Sequence, residues 1–107
     1  MPSEVRTGYI KVYRKVQDTT VFKDARAWQL FSFCLLSAKF KKDKDLDIGE
    51  FKTTQKDIAD ALNTTRQSVS KFLEILKKEN CIDYYTSNKD TIIRVLNFKK
   101  YQSKKDD

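Results

Sequence analysis

TQKDIADALNTTRQSVSKFLEILK, residues 54–77, is the stretch on which the reading of this chain turns. With a 3.6-residue period its apolar positions separate into two short amphipathic blocks. Ile58, Ala59 and Leu62 form the first; Val69, Phe72, Leu73 and Leu76 form the second. Between them sits Asn63-Thr64-Thr65, where Asn tolerates a left-handed turn and a Thr can cap the next helix. Thr64 and Gln67 stand at capping-box spacing, which sets the expected start of the second helix. Two helices joined by so tight a turn make a helix-turn-helix, the unit that seats its second helix in a DNA major groove.

Working outward, IGEFKT (residues 48–53) predicts a short strand leading into the helix pair. After the pair come CIDYYT (81–86) and TIIRVLNF (91–98), both rich in β-branched and aromatic residues and joined by the turn chemistry of Ser87-Asn88-Lys89-Asp90. They predict a β-hairpin. Upstream, Asp24 to Phe40 predicts the longest helix. Trp28, Phe31, Leu35 and Ala38 share one face, while Leu30, Phe33, Cys34 and Leu36 add apolar surface on the others. Such a helix is buried on more than one side, either as a central core helix or with one face given to a partner subunit. Gly8 to Val16 (GYIKVYRKV) is expected to start extended and turn helical near Tyr13, and Gln17 to Thr20 reads as a break. Lys39 to Asp47 (KFKKDKDLD) is a charge-dense connection expected to be a solvated loop. The order is helix, short strand, two helices, hairpin. The expected fold is therefore mainly α with a small β-hairpin, a winged helix-turn-helix in one domain, with a core over residues 8–98 and a polar tail over 99–107.

Composition narrows the function. Of 107 residues, 39% are hydrophobic and 35% charged, which suits one domain with a dense ionic surface. The net charge of +7 favours a polyanionic partner, nucleic acid before membrane. The apolar run Leu30–Leu36 is far short of a membrane span, and residues 1–12 lack the apolar stretch of a signal peptide. A cytoplasmic protein of a bacterial host cell is expected. Cys34 and Cys81 read as reduced core thiols rather than a disulfide or metal site. No histidine is present, which removes most general-base triads and most zinc sites. There is no Gly-rich phosphate loop, and Asp43, Asp45 and Asp47 lack the Gly and distal Glu of a calcium loop. The expectation is a protein that is not an enzyme and uses no metal or other cofactor.

With the apolar positions docked, Thr65, Arg66, Gln67, Ser70, Lys71 and Glu74 face outward on the second helix, Glu74 toward solvent. The first turn of a recognition helix meets base edges. Arg66 can bind guanine in bidentate fashion and Gln67 adenine, although a capping role for Gln67 competes with base readout. Thr65, Ser68 and Ser70 suit phosphate oxygens or a thymine methyl group, and Lys71 suits phosphate. Lys52, Thr53, Thr54 and Lys56 mark the entry to the first helix, whose amino end offers unpaired N–H groups to phosphate. Asn88 and Lys89 stand at the wing turn as candidate backbone contacts. Most of the aromatic residues fall at core spacings, but Tyr84 and Tyr85 point to opposite strand faces, so one of them is exposed or at an interface.

Residues 55–76 resemble the general bacterial helix-turn-helix pattern, with Ala59 at the small position and Asn63 where Gly is usual. Three stretches, GYIKVYRKVQDTTVFKD, FKTTQKDIADAL through FLEILKKENCI, and TIIRVLNFKKYQ, together resemble the DnaD-like amino-terminal domain of phage and plasmid replication proteins, the replisome organisers and initiators. The resemblance spans residues 8–102, with GYIKVYRK and NFKKYQ its most distinctive pieces. It implies binding to origin DNA and assembly into homodimers or higher oligomers, with replication proteins as further partners. It also places Tyr9, Ile10, Val12, Tyr13, Trp28 and Phe33 at a self-association surface. Members of that family continue into a second domain; here a stand-alone factor is expected. A small transcriptional regulator of a mobile element presents the same DNA-facing chemistry. A module that uses the fold only for protein contacts has no need of Arg66, Gln67 and Lys71 on its outer face.

Overall fold

The structure is a computed structural model and describes residues 10–39 and 46–100. Tyr9, most of the charge-dense connection and the tail beyond Lys100 lie outside the described residues.

The chain leaves an extended start at Tyr13 for a 3-10 turn over Arg14–Asp18, then a one-turn helix α1 (Thr20–Lys23). The stretch expected as a break is thus reduced to Thr19, whose Oγ1 accepts from Phe22 N at 3.1 Å and starts α1. Asp24 repeats the device: extended itself, it accepts from the N–H groups of Arg26 and Ala27 and starts α2 (Ala25–Ser37). That helix ends short of the expected Phe40. Lys39 instead donates to Glu50 O and accepts from Gly49 N, which draws the chain out of the helix to run beside the first strand.

Most of the apolar surface of α2 is engaged in the core. Ala27, Leu30, Phe31, Cys34 and Leu35 are buried; Trp28 and Phe33 are half-buried, the former edge-on to Phe22 and the latter edge-on to Phe51. Leu36 alone among its large apolar residues stands in solvent, 67% exposed. A central core helix accounts for nearly all of the periodicity that admitted a partner face.

Strand β1 (Glu50–Thr53) precedes α3 (Gln55–Leu62) and α4 (Arg66–Lys78), and β2 (Ile82–Thr86) and β3 (Thr91–Val95) close the fold. The sheet is antiparallel in the order β1-β3-β2, so the last of the described strands is the central one. The register places Phe51, Ile93 and Tyr84 in one row facing the helices. Glu50, Arg94 and Asp83, then Lys52, Ile92 and Tyr85, form two rows on the outer face. β1 starts later than expected because Gly49 turns with φ +89°, and a Cβ there would sit 3.1 Å from Phe98 Cβ. β3 stops at Val95 because Asn97 turns left-handed and sends Phe98 back into the core.

Ile58, Leu73, Leu76 and Ile93 are fully inaccessible and join α3, α4 and the sheet beneath α2. Each such side chain contributes about 1.5–3 kcal/mol on leaving water. Mostly helical, with a small three-stranded antiparallel sheet, the architecture is a winged helix-turn-helix.

Candidate nucleic-acid interface

The turn between α3 and α4 is built by Asn63 in the left-handed region (φ 56°, ψ 53°), with Thr64 N donating to Ala59 O at 2.9 Å. That bond ties Thr64 to the end of α3. The cap of α4 is therefore Thr65, whose Oγ1 accepts from Ser68 N at 3.1 Å, and the expected Thr64–Gln67 capping box does not form. Gln67 stands at the second helical position with its side chain exposed. The competition between capping and base contact is removed.

A clamp that sequence reasoning missed holds this turn. Arg26 Nη1 donates to Leu62 O at 3.1 Å and to Gln29 Oε1 at 2.8 Å, and Gln29 Nε2 reaches the same carbonyl at 3.4 Å. Two side chains from the start of α2 thus satisfy a carbonyl left open at the end of α3. No local signal could have found them, since the partners lie 36 and 33 residues apart.

On α4, Val69, Leu73 and Leu76 are buried, and helical spacing puts Gln67, Lys71, Glu74 and Lys78 on the opposite stripe. Arg66 and Ser70 occupy the adjoining shoulder; Thr65, Arg66, Gln67, Ser70 and Lys71 are all exposed. The Lys71 ammonium lies 5.4 Å from the Phe72 ring centroid. Glu74 departs from expectation: although exposed, its carboxylate accepts a hydrogen bond from the Tyr84 hydroxyl on β2 instead of facing only solvent. Burial first, then that bond, pushes the Tyr84 phenol up to about 12. Lys77, one turn along, lies 5.5 Å from the Tyr84 ring centroid and 3.8 Å from Asp83 Oδ1.

The entry to α3 is less uniform than expected. Thr54 is the cap, its Oγ1 accepting from Asp57 N at 3.0 Å. Lys56 pairs with Asp60 at 3.0 Å, both side chains being about two-thirds exposed, a contact worth little in water and readily exchanged. Lys52 is not at the helix end; it projects from β1 on the outer face of the sheet, in the row of Ile92 and Tyr85. At the wing tip, Ser87 and Asp90 close the turn, Ser87 N donating to Asp90 O at 2.8 Å and the Ser87 hydroxyl bonding the Asp90 backbone. Asn88 and Lys89 are left exposed between them.

Of the residues placed at a self-association surface, Val12 and Tyr13 are 50% and 52% exposed, Ile10, Trp28 and Phe33 pack partly against the core, and Tyr9 lies outside the described residues. Cys34 is buried and Cys81 half-buried, and burial raises the pKa of both thiols. Among the described residues no cluster of three metal-ligating side chains occurs, and no helix is long and apolar enough to cross a membrane.

No curated protein matches the chain. The profile of the Crp-like helix-turn-helix domain matches residues 33–101, from the middle of α2 through both recognition-unit helices and the wing. The match is to a different family and does not reach Gly8–Val16, one of the two stretches where the resemblance to DnaD-like replication proteins is most distinctive, so that finer identity gains nothing from it. Fold, turn and hairpin agree with the matched span, and the chain belongs to the family of Crp-like helix-turn-helix domains.

Proposed function

We propose that this protein binds double-stranded DNA with sequence preference, α4 entering the major groove and the wing tip reaching the flanking backbone. One observation carries the reading. Val69, Leu73 and Leu76, which dock α4, are buried, while its first turn presents Arg66 and Gln67, exposed and with no bonding partner among the described residues. In these roles Arg66 and Gln67 read base edges. Thr65, Ser70 and Lys71 hold phosphates, Thr54 and Lys56 meet the backbone at the start of α3, and Asn88 and Lys89 at the wing. Lys52, on the outer sheet face, adds long-range attraction rather than a contact at the helix end.

Self-association through the half-exposed Val12 and Tyr13 would pair two such domains on adjacent half-sites. For setting, the resemblance of GYIKVYRK and NFKKYQ supports replication of a phage or plasmid, in the cytoplasm of its host. The Crp-like match supports a transcriptional regulator equally well. The DNA face is the same in both.

Gel-shift titration tests the reading. Arg66→Ala relaxes preference at one base position at a cost of about 1–3 kcal/mol, while Lys71→Ala weakens all sequences alike and lowers the salt slope by about one. Unchanged binding in both variants removes α4 from the interface. Footprinting over the parent DNA, on origin repeats or on a promoter, separates the two settings.

A further inference from the structure

We propose that Tyr84 and Glu74 form a positioning latch that sets the wing tip against the recognition helix, so that both engage one duplex together. The proposal rests on the DNA-binding reading above and assigns work to residues outside its contact set.

Glu74, at the edge of the outward stripe, and Lys77, on the shoulder beside it, lie three residues apart on α4, and both reach β2. Both are occupied by the same stretch of strand. Glu74 accepts from the Tyr84 hydroxyl, and the Lys77 ammonium lies 5.5 Å from the Tyr84 ring centroid and 3.8 Å from Asp83 Oδ1. β2 is an edge strand, hydrogen-bonded to β3 alone within the sheet. Past this point β3 stays paired to β1 as far as Thr53–Thr91 and to β2 as far as Thr86–Thr91, so only the turn over 87–90 extends beyond the sheet, and the sheet end and its tip are set against α4 as one piece.

The lever arm makes the latch consequential. Asn88 and Lys89 lie four and five residues beyond Tyr84, the first two of those residues in β2 and the rest in the turn, at most about 15 Å away at a strand rise of roughly 3.3 Å per residue. A rotation of about 10° at the latch therefore moves the tip by roughly 2–3 Å, enough to carry a lysine out of hydrogen-bond reach of a phosphate. The core beneath, Ile82 and Ile93, holds the base of the sheet; the polar latch on the rim holds its angle.

A double-mutant cycle tests this on the full chain, by fluorescence anisotropy at several salt concentrations. The probe is a random-sequence duplex about three helical turns long. Lys89→Ala is expected to weaken binding on the order of threefold to tenfold and to lower the salt slope by about one. Tyr84→Phe, which keeps the ring and removes only the hydroxyl, does the same. Glu74→Gln retains an acceptor for the phenol and stays nearer the parent protein than Glu74→Ala. The Tyr84→Phe/Lys89→Ala double variant binds no more weakly than either single variant, because the tip contact is lost in each. Circular dichroism melts check folding; should Tyr84→Phe unfold, exposed Glu74→Ala takes its place in the cycle, read against Glu74→Gln, which removes the same charge and keeps an acceptor. Losses that multiply in the double variant, or parent-like binding by Tyr84→Phe, overturn the latch and leave the DNA reading intact. Parent-like binding by Lys89→Ala removes the wing contact, and the latch with it.

Discussion

Replacing Thr65 by Ala removes the side-chain oxygen that caps α4. In the structure Thr65 Oγ1 accepts from Ser68 N at 3.1 Å, and the substitution leaves that amide to water. Loss of a Thr cap costs about 1 kcal/mol, within a range of roughly 0.5–2. In a domain of about 100 residues this lowers the melting temperature by about 4 °C. Thr64→Ala is the matched control. Thr64 is half-buried, its backbone N–H is engaged with Ala59 O, and its hydroxyl has no bond among the described residues. It should cost less than about 0.5 kcal/mol. A third variant separates stability from binding: Asp at position 65 caps at least as well as Thr and its charge suits a helix amino end. Thr65→Asp should therefore melt with the parent protein yet bind DNA on the order of tenfold more weakly, since its carboxylate faces phosphate. Urea midpoints and gel shifts on the three variants are the assay. A Thr64→Ala loss equal to that of Thr65→Ala, or a Thr65→Asp protein as unstable as Thr65→Ala, would refute the assignment of the cap.

Asn63 holds a left-handed turn with φ 56°. Asn63→Gly should leave the urea midpoint unchanged or raise it slightly, whereas Asn63→Ala should lower stability by about 1 kcal/mol, since a Cβ without a polar tip resists that region. Glu50 accepts from Asp47 N at 2.9 Å and from Arg94 Nη2 at 2.7 Å, and these bonds hold its carboxyl below the ordinary 4.5. A lowered folded-state pKa means that its contribution is complete above about pH 4.5 and is lost as pH falls through the lower folded value. Glu50→Gln should thus be less stable than the parent protein at pH 7, and the gap in urea midpoint should close on acidification below pH 4.5. A gap that widens there would show that the carboxylate is not the stabilised form.

What the sequence disclosed was local. The blocks around Ile58–Leu62 and Val69–Leu76, the left-handed Asn63 and the Ser87–Asp90 turn are patterns of a few residues, and each was found where its spacing placed it. The choice between Thr64 and Thr65 was not legible, because it depends on where the Ala59–Thr64 bond ends α3. The early end of α2 depends on Lys39 meeting Glu50, and the Arg26 clamp on Leu62 crosses 36 residues. Glu74 looked solvent-facing because helical counting knows nothing of β2. Lys52 looked like a helix-entry residue for the same reason: its position in β1 decides its face, not its distance along the chain from Thr54.

The sheet order has a consequence for how the protein comes into being. β3, the last of the three described strands to be synthesised, is the one to which both β1 and β2 pair. While a ribosome is still making residues 91–95, the helix pair has no central strand behind it, and Phe51 and Tyr84 lack Ile93, their partner across both strand pairs. Contacts of long sequence separation form last and set the pace of folding. A nascent chain halted before Thr91 therefore carries every residue of α3 and α4 but lacks the strand that joins β1 to β2 behind them.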